Sequence, residues 1–303
     1  MSHRLPNFLI VGAARSGTTS LFWYLREHPE IFMHGRKEGM FFSDLSTEYN
    51  GPGRYFNDSV ITSIEDYEAL FSGVSGETAI GDASPDYLYY FDRSIENITR
   101  FLGKNVKIII LLRNPNTRVY SQYFHHLKYG VEPLSFDEAL RNEEKRMAAN
   151  WFWTYHYKAV GLYHDQVRAY LDHFSNVAVY LYDDLETDAS KLVRGVFSFL
   201  GVDASFRPDV SFRYLASGTP RNKGIDLIIR GLRSPGTAFL TKRLYRSLKG
   251  QKGTRQLLER VYASLLKTSP NTAAGHAVLA DVYAADILKL QSLIGRDLTA
   301  WLD

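Results

Sequence analysis

Residues 7–21 read Asn7-Phe-Leu-Ile-Val-Gly-Ala-Ala-Arg-Ser-Gly-Thr-Thr-Ser-Leu21, and the rest of the chain is organised around them. Phe8 to Val11 is an unbroken run of strand-favouring apolar residues, the pattern of a strand buried on both faces. Gly12 to Gly17 is small and flexible. From Leu21 the apolar spacing turns helical: Leu21, Tyr24, Leu25 and His28 form one stripe, and Pro29 stops it. A strand that passes through a glycine loop into a helix makes an anion site, because free amide N–H groups and the positive end of the helix dipole converge there.

The loop nearly fits the nucleoside-triphosphate pattern G-x-x-x-x-G-K-[ST]. Gly12 and Gly17 have the right spacing and Thr19 fills the last position, but Thr18 stands where the lysine belongs. The basic residue is Arg15, inside the loop. A triphosphate with magnesium needs the lysine and the metal to neutralise it. A bisphosphorylated nucleotide carrying a sulfate has less charge clustered at one end and does without metal.

Ala14-Arg15-Ser16-Gly17-Thr18-Thr19-Ser20-Leu21 resembles the 5′-phosphosulfate loop of sulfotransferases that use 3′-phosphoadenosine 5′-phosphosulfate (PAPS). A second block, Leu111-Leu-Arg-Asn-Pro-Asn-Thr-Arg-Val-Tyr-Ser-Gln-Tyr123, resembles the same family's 3′-phosphate segment, R-x-P-x-x-R-x-x-S-x-Y. The layout is nearest to that of carbohydrate sulfotransferases, including the heparan sulfate N- and 3-O-types, and of bacterial relatives. The resemblance implies PAPS as co-substrate, adenosine 3′,5′-bisphosphate as product and no metal. It assigns the 5′ end to Arg15, to the backbone of Ser16, Gly17, Thr18 and Thr19, and to Ser20. It assigns the 3′-phosphate to Arg113 and Ser121. The planar fork of arginine matches phosphate oxygens in pairs. Arg118, Ser121, Gln122 and His125 share one helix face; Arg118 reads equally as a ligand contact or as a salt bridge within the fold.

Lys37-Glu38-x-x-Phe41-Phe42 resembles the family's substrate-side loop, whose glutamate is the base. Sulfuryl transfer needs the acceptor to lose a proton as it attacks sulfur. A carboxylate packed against aromatic rings is expected to be partly desolvated, with its proton affinity raised. Lys37 would orient the loop or the sulfate. Glu77-Thr-Ala-Ile-Gly-Asp-Ala-Ser-Pro-Asp-Tyr87 is similar to a strand-end element that faces the acceptor. Asp82, Ser84, Tyr87 and, from the helix, His125 are acceptor-side candidates, with Asp82 the second candidate base; turn and cap chemistry explains the first three equally well. Trp151-Phe-Trp-Thr-Tyr-His-Tyr157 either stacks on an acceptor or packs within the fold. Relatives close a basic loop over the nucleotide where Arg221 and Lys223 stand.

Composition is compatible with this. A 303-residue chain with 45% apolar residues holds a sizeable core. The absence of cysteine excludes disulfides and thiolate metal sites. A net charge of +3 does not point to nucleic acid. The start of the chain lacks an apolar signal core, so a cytoplasmic enzyme is expected. Basic residues gather in 221–267; leucines at four-residue spacing in 231–254 make a basic amphipathic helix, either a solvated face or an attachment to an anionic glycan or a membrane surface.

The expectation is one α/β domain over 1–303, three-layer α/β/α, with a mostly parallel sheet of about five strands and a P-loop-like nucleotide site. The expected activity is transfer from PAPS to a hydroxyl, less readily an amine, of a glycan or glycoconjugate. Alternatives are a lipid or small-molecule acceptor, a P-loop-like kinase or nucleotide-binding protein, and a catalytically silent relative that binds glycans.

Overall fold

The computed structural model describes residues 5–45, 48–52, 60–211, 219–220, 266–267 and 273–302. Five parallel strands form one sheet in the order β2-β3-β1-β4-β5. They are β1 (Phe8–Gly12), β2 (Ile31–Met33), β3 (Ala79–Ala83), β4 (Lys107–Leu112) and β5 (Val177–Leu181). A separate antiparallel pair joins Thr219–Pro220 to Leu266–Lys267. β4 has neighbours on both edges, but the middle strand is β1.

Successive strand residues point to opposite faces, and here both faces are apolar. Leu9 and Val11 of β1, with Ile108, Ile110 and Leu112 of β4, enter one core. Phe8 and Ile10, with Ile109 and Leu111, enter the other. The second core is closed by α1 (Thr18–Leu25), α9 (Tyr182–Thr187) and α10 (Ala189–Leu200). The first is closed by α2 (Ile64–Ala69), α3 (Asp86–Tyr89), α4 (Phe91–Leu102), α5 (Pro115–Tyr129), α6 (Phe136–Arg141), α8 (Tyr163–His173) and α11 (Ala273–Ile294). Helices on both faces of a parallel sheet make the three layers expected from the unbroken apolar runs. Between α6 and α8 lies α7 (Glu143–Ala148), whose Arg146 pairs bidentately with buried Glu132 at 2.7 Å.

Several boundaries follow local chemistry. Asn114 caps α5, its side chain accepting from Asn116 N–H at 2.9 Å, and Pro115 is the first helical residue. Ser135 N–H donates to Glu138 at 3.0 Å, closing the capping box that opens α6. Elsewhere tertiary contacts decide. α1 ends at Leu25, and His28 lies beyond it, its Nε2 2.9 Å from Asp203 O. The stretch from Ala159 to His173 is broken at Leu162 into a 3-10 turn, Ala159–Gly161, and α8. Asp286 of α11 accepts from Tyr163 N–H at 2.8 Å and His164 N–H at 3.2 Å, and so caps α8 from a distant part of the chain. Asp183 and Asp184, just past the end of β5, also tie down the C-terminal segment. Asp183 accepts from Trp301 Nε1 at 2.9 Å, and Asp184 pairs with Arg296 at 2.9 Å.

Among the described residues no helix is long and apolar enough to cross a membrane. Arg221, Lys223 and the basic 231–254 segment lie outside the described residues.

Ile109 is fully buried where β4 meets α10. Ile109→Ala removes three side-chain carbons from a close-packed site and is expected to cost about 2–5 kcal/mol, read from the urea unfolding midpoint.

Candidate active site

The strand order places a switch point between β1 and β4. The chain between β1 and β3 builds one side of the sheet and β4 and β5 build the other, which leaves a crevice at the carboxyl ends. A cavity of about 550 Å³ opens there. Ala14, Arg15 and Gly17 to Ser20 line one end, together with Arg113, Ser121, Gln122 and His125. Glu38, Met40, Pro85, Asp86, Phe152 and Trp153 also line it.

The loop has the shape its residues imply. A Cβ on Gly12 would lie 2.5 Å from Leu88 Cβ, so the strand end approaches α3 more closely than any larger residue permits. Gly17 has φ 90° and caps α1 with no side chain, and no acidic residue occupies the first turn. The first-turn amides of α1 therefore retain their attraction for an anion. Ser16 differs from the expectation. Its N–H is 3.3 Å from Ala13 O within the turn, and its side chain is fully buried.

Arg15 joins the two sequence blocks. Its Nε donates to Ser121 Oγ at 3.0 Å, and a terminal nitrogen lies 3.3 Å from His125 Nδ1. Arg113 donates to Arg15 O at 3.3 Å and to Thr117 Oγ1 at 3.0 Å, with its guanidinium 4.6 Å from the Tyr182 ring centre. Burial, and then the charge of Arg113, lower the Arg15 pKa to about 10, still far above neutrality. Arg118, by contrast, is buried away from the cavity and donates to Tyr157 O.

Glu38 lines the cavity but is not desolvated as expected. Its side chain is 46% exposed and paired with Lys37. Phe41 and Phe42 turn inward instead: Phe41 stacks on Tyr67, and Phe42 packs edge-on against Tyr67 and Tyr87. Lys37 reaches Glu38 and is not part of the cavity wall.

Asp82 is a structural anchor, contrary to its candidacy as a base. It is fully buried and accepts from His34 Nε2 at 3.0 Å, Tyr67 OH at 3.1 Å, Tyr87 OH at 2.9 Å and Ala83 N–H at 2.7 Å. Burial alone would raise its pKa, but the bonds from His34, Tyr87 and Tyr67 hold it below the usual carboxylate value. Tyr87 is committed to Asp82, and Ser84 accepts from Met40 N–H at 3.3 Å. Neither lines the cavity.

Four contributors escaped the sequence reading. Tyr182 and Leu185 follow β5, and the strand-end rule would have found them. His126 is buried, and burial followed by the charge of Arg15 lowers its pKa to about 3. Asp86, fully buried at the start of α3, has no sequence signal beyond a polar turn.

A family model described as a sulfotransferase domain matches residues 93–220. The crystal structure of a sulfotransferase from Alicyclobacillus acidocaldarius is 32% identical, covers 99% of this chain and 100% of its own, and superposes with a TM-score of 0.77. This chain belongs to the sulfotransferase family. Two curated relatives match more locally. The membrane-associated sulfotransferase kil1 of Dictyostelium discoideum is 33% identical over 45% of this chain and 28% of its own length. The heparan sulfate glucosamine 3-O-sulfotransferase 3A1 of Mus musculus is 23% identical over 66% of this chain and 47% of its own. The chain thus spans less than half the length of these curated relatives. Arg113 and Ser121 fall inside the matched segment, whereas Arg15 and Glu38 precede it.

Asp82→Ala leaves three side-chain donors without their acceptor, each costing about 1–3 kcal/mol. Urea denaturation should show a loss of at least about 3 kcal/mol. A variant of normal stability that lost only turnover would restore Asp82 as a base.

Proposed function

We propose that this sulfotransferase moves a sulfuryl group from PAPS to a hydroxyl, less readily an amine, of a glycan, glycoconjugate or small-molecule acceptor. The observation that carries the reading is the convergence on one cavity of two blocks far apart in sequence, joined by the 3.0 Å bond from Arg15 to Ser121. The residues fit the nucleotide. The amides at the start of α1 suit a 5′-phosphate, and Arg113 beside Ser121 suits a 3′-phosphate. Bound there, PAPS supplies the sulfuryl group and leaves as adenosine 3′,5′-bisphosphate.

In this reading Arg15, with Thr18 and Thr19, stabilises negative charge at the 5′ end where the sulfur–oxygen bond breaks. Glu38 takes the proton that the acceptor oxygen loses as it bonds to sulfur, and Lys37 orients the Glu38 carboxylate. Most of the rate enhancement comes from positioning and preorganised charge. Phe152, Trp153, Met40 and Pro85 offer apolar surface to the acceptor, which favours an acceptor presenting a ring or an apolar face. A kinase reading is disfavoured by Thr18 in the lysine position.

Calorimetry should show a clear preference for adenosine 3′,5′-bisphosphate over AMP, and Ser121→Ala should reduce that preference. Equal affinity for the two nucleotides would end the reading. Arg15→Ala should lower kcat on the order of a hundredfold, as for loss of a preorganised donor. The acceptor is to be found by incubating the protein with PAPS and fractionated glycans and lipids and reading a mass gain of one sulfate.

A further inference from the structure

The loop that carries Glu38 is fastened to the turn between β3 and α3. Glu38 N–H donates to Ala83 O at 3.1 Å, and Met40 N–H donates to Ser84 Oγ at 3.3 Å. Ser43 Oγ then lies 2.9 Å from Met40 O and 2.5 Å from Asp86 Oδ2. Glu38 and Met40 have φ of 67° and 57°, a backbone that L residues keep only where their surroundings hold it.

The Ser43 contacts impose a proton count. A hydroxyl has one proton to give, and a carbonyl oxygen only accepts. Both contacts are hydrogen bonds only when Ser43 donates to Met40 O and Asp86 donates to Ser43, which requires a neutral carboxyl. Once Asp86 is ionised, the Ser43 proton must turn to the carboxylate, and Met40 O loses its donor. The surroundings favour the neutral form. Asp86 is fully buried, and its Oδ1 has no hydrogen-bond partner. Burial raises its pKa to about 7 against the lowering effects of Ser43 and of the Asp86 backbone N–H, and the like charges of Glu38 and Asp82 push it further up. Tyr49, Tyr87, Tyr90 and Tyr170 also surround it. Burial raises each of these phenols above the usual tyrosine value, so all four stay neutral at physiological pH. Arg93 acts on Tyr49 and Tyr90, and Lys37 is paired with Glu38.

We propose that Asp86 is a positioning residue: as a neutral acid it holds, through Ser43, the loop that presents Glu38 to the cavity, and its ionisation loosens that loop by one hydrogen bond. The catalytic meaning of the clamp rests on the sulfuryl-transfer reading of Glu38; the clamp itself does not. The sign follows from the proton count. The clamp is complete below about pH 7, where Asp86 is neutral, and weakens as pH rises through that value.

The test is amide hydrogen exchange of residues 37–43 in the full chain, expressed as protection factors at pH 6 and pH 8.5 so that the intrinsic pH dependence is removed. The wild type should lose about fivefold protection between the two, the loss of roughly one hydrogen bond. Asp86→Asn, whose amide donates to Ser43 at every pH, should keep its pH 6 protection at pH 8.5. Ser43→Ala, a one-atom deletion, should be under-protected at both. Equal wild-type protection at the two pH values, or a loss in Asp86→Asn as large as in the wild type, would overturn the proposal. No substrate enters this measurement. Failure here leaves the sulfuryl-transfer reading standing, whereas failure of the bisphosphate calorimetry leaves the clamp standing.

Discussion

Two guanidinium groups, on Arg15 and Arg113, are held together at the carboxyl ends of adjacent strands, and much of the molecule serves to keep them there. Like charges separate unless their backbones are fixed. Here β1 and β4 are paired in the sheet, and Arg113 reaches back to Arg15 O at 3.3 Å. The Tyr182 ring lies under Arg113, and Ser121 accepts from Arg15. Burial first, and then the charge of Arg113, lower the pKa of Arg15. Two guanidinium groups held this close make a local field that favours an anion.

The walls around this pair are polar inside as well as apolar, and they include one well-connected buried network. Glu132 accepts two bonds from Arg146 and one from Tyr157 OH, each at 2.7 Å. Because Tyr157 gives its proton to Glu132, the His126 Nδ1 at 2.7 Å must be the donor in their contact. Its Nε2 then accepts from Gln122 at 2.9 Å and Thr154 at 3.1 Å. A neutral imidazole fits the strongly lowered pKa. This network ties α5 and α7 to the aromatic 151–157 stretch, which supplies both cavity wall and packing. Breaking such a network is costly because each orphaned group stays away from water.

Where residue spacing was read well, the physics was local. The apolar run that became β1 depends on neighbours a few residues away, and the same local physics sets the Asn114-Pro115 start of α5, the Ser135–Glu138 capping box and the bounds of α10. Where it was read badly, the deciding partner was remote. Asp82 looked like a residue facing an acceptor because a polar residue at a strand end is ambiguous. Tyr67, on a helix that precedes its strand, and His34 settle which face it serves. Glu38 was expected among aromatic rings, yet Phe41 and Phe42 found partners in Tyr67 and Tyr87 and left the carboxylate half in water. α8 starts at Tyr163 because Asp286, from a distant part of the chain, caps it there.

By itself, the sequence determined that this chain is α/β, that its sheet is parallel, and that it carries a lysine-less phosphate loop and a distant arginine–serine block. These follow from period, capping and loop composition, which are properties of short stretches. Only the tertiary structure decided that the two blocks meet, that Asp82 serves the core, and that Asp86 stands behind Ser43. Such facts depend on which faces of separate elements are pressed together. That choice is made by burying apolar surface and satisfying buried polar groups across the whole domain, and no local pattern encodes it.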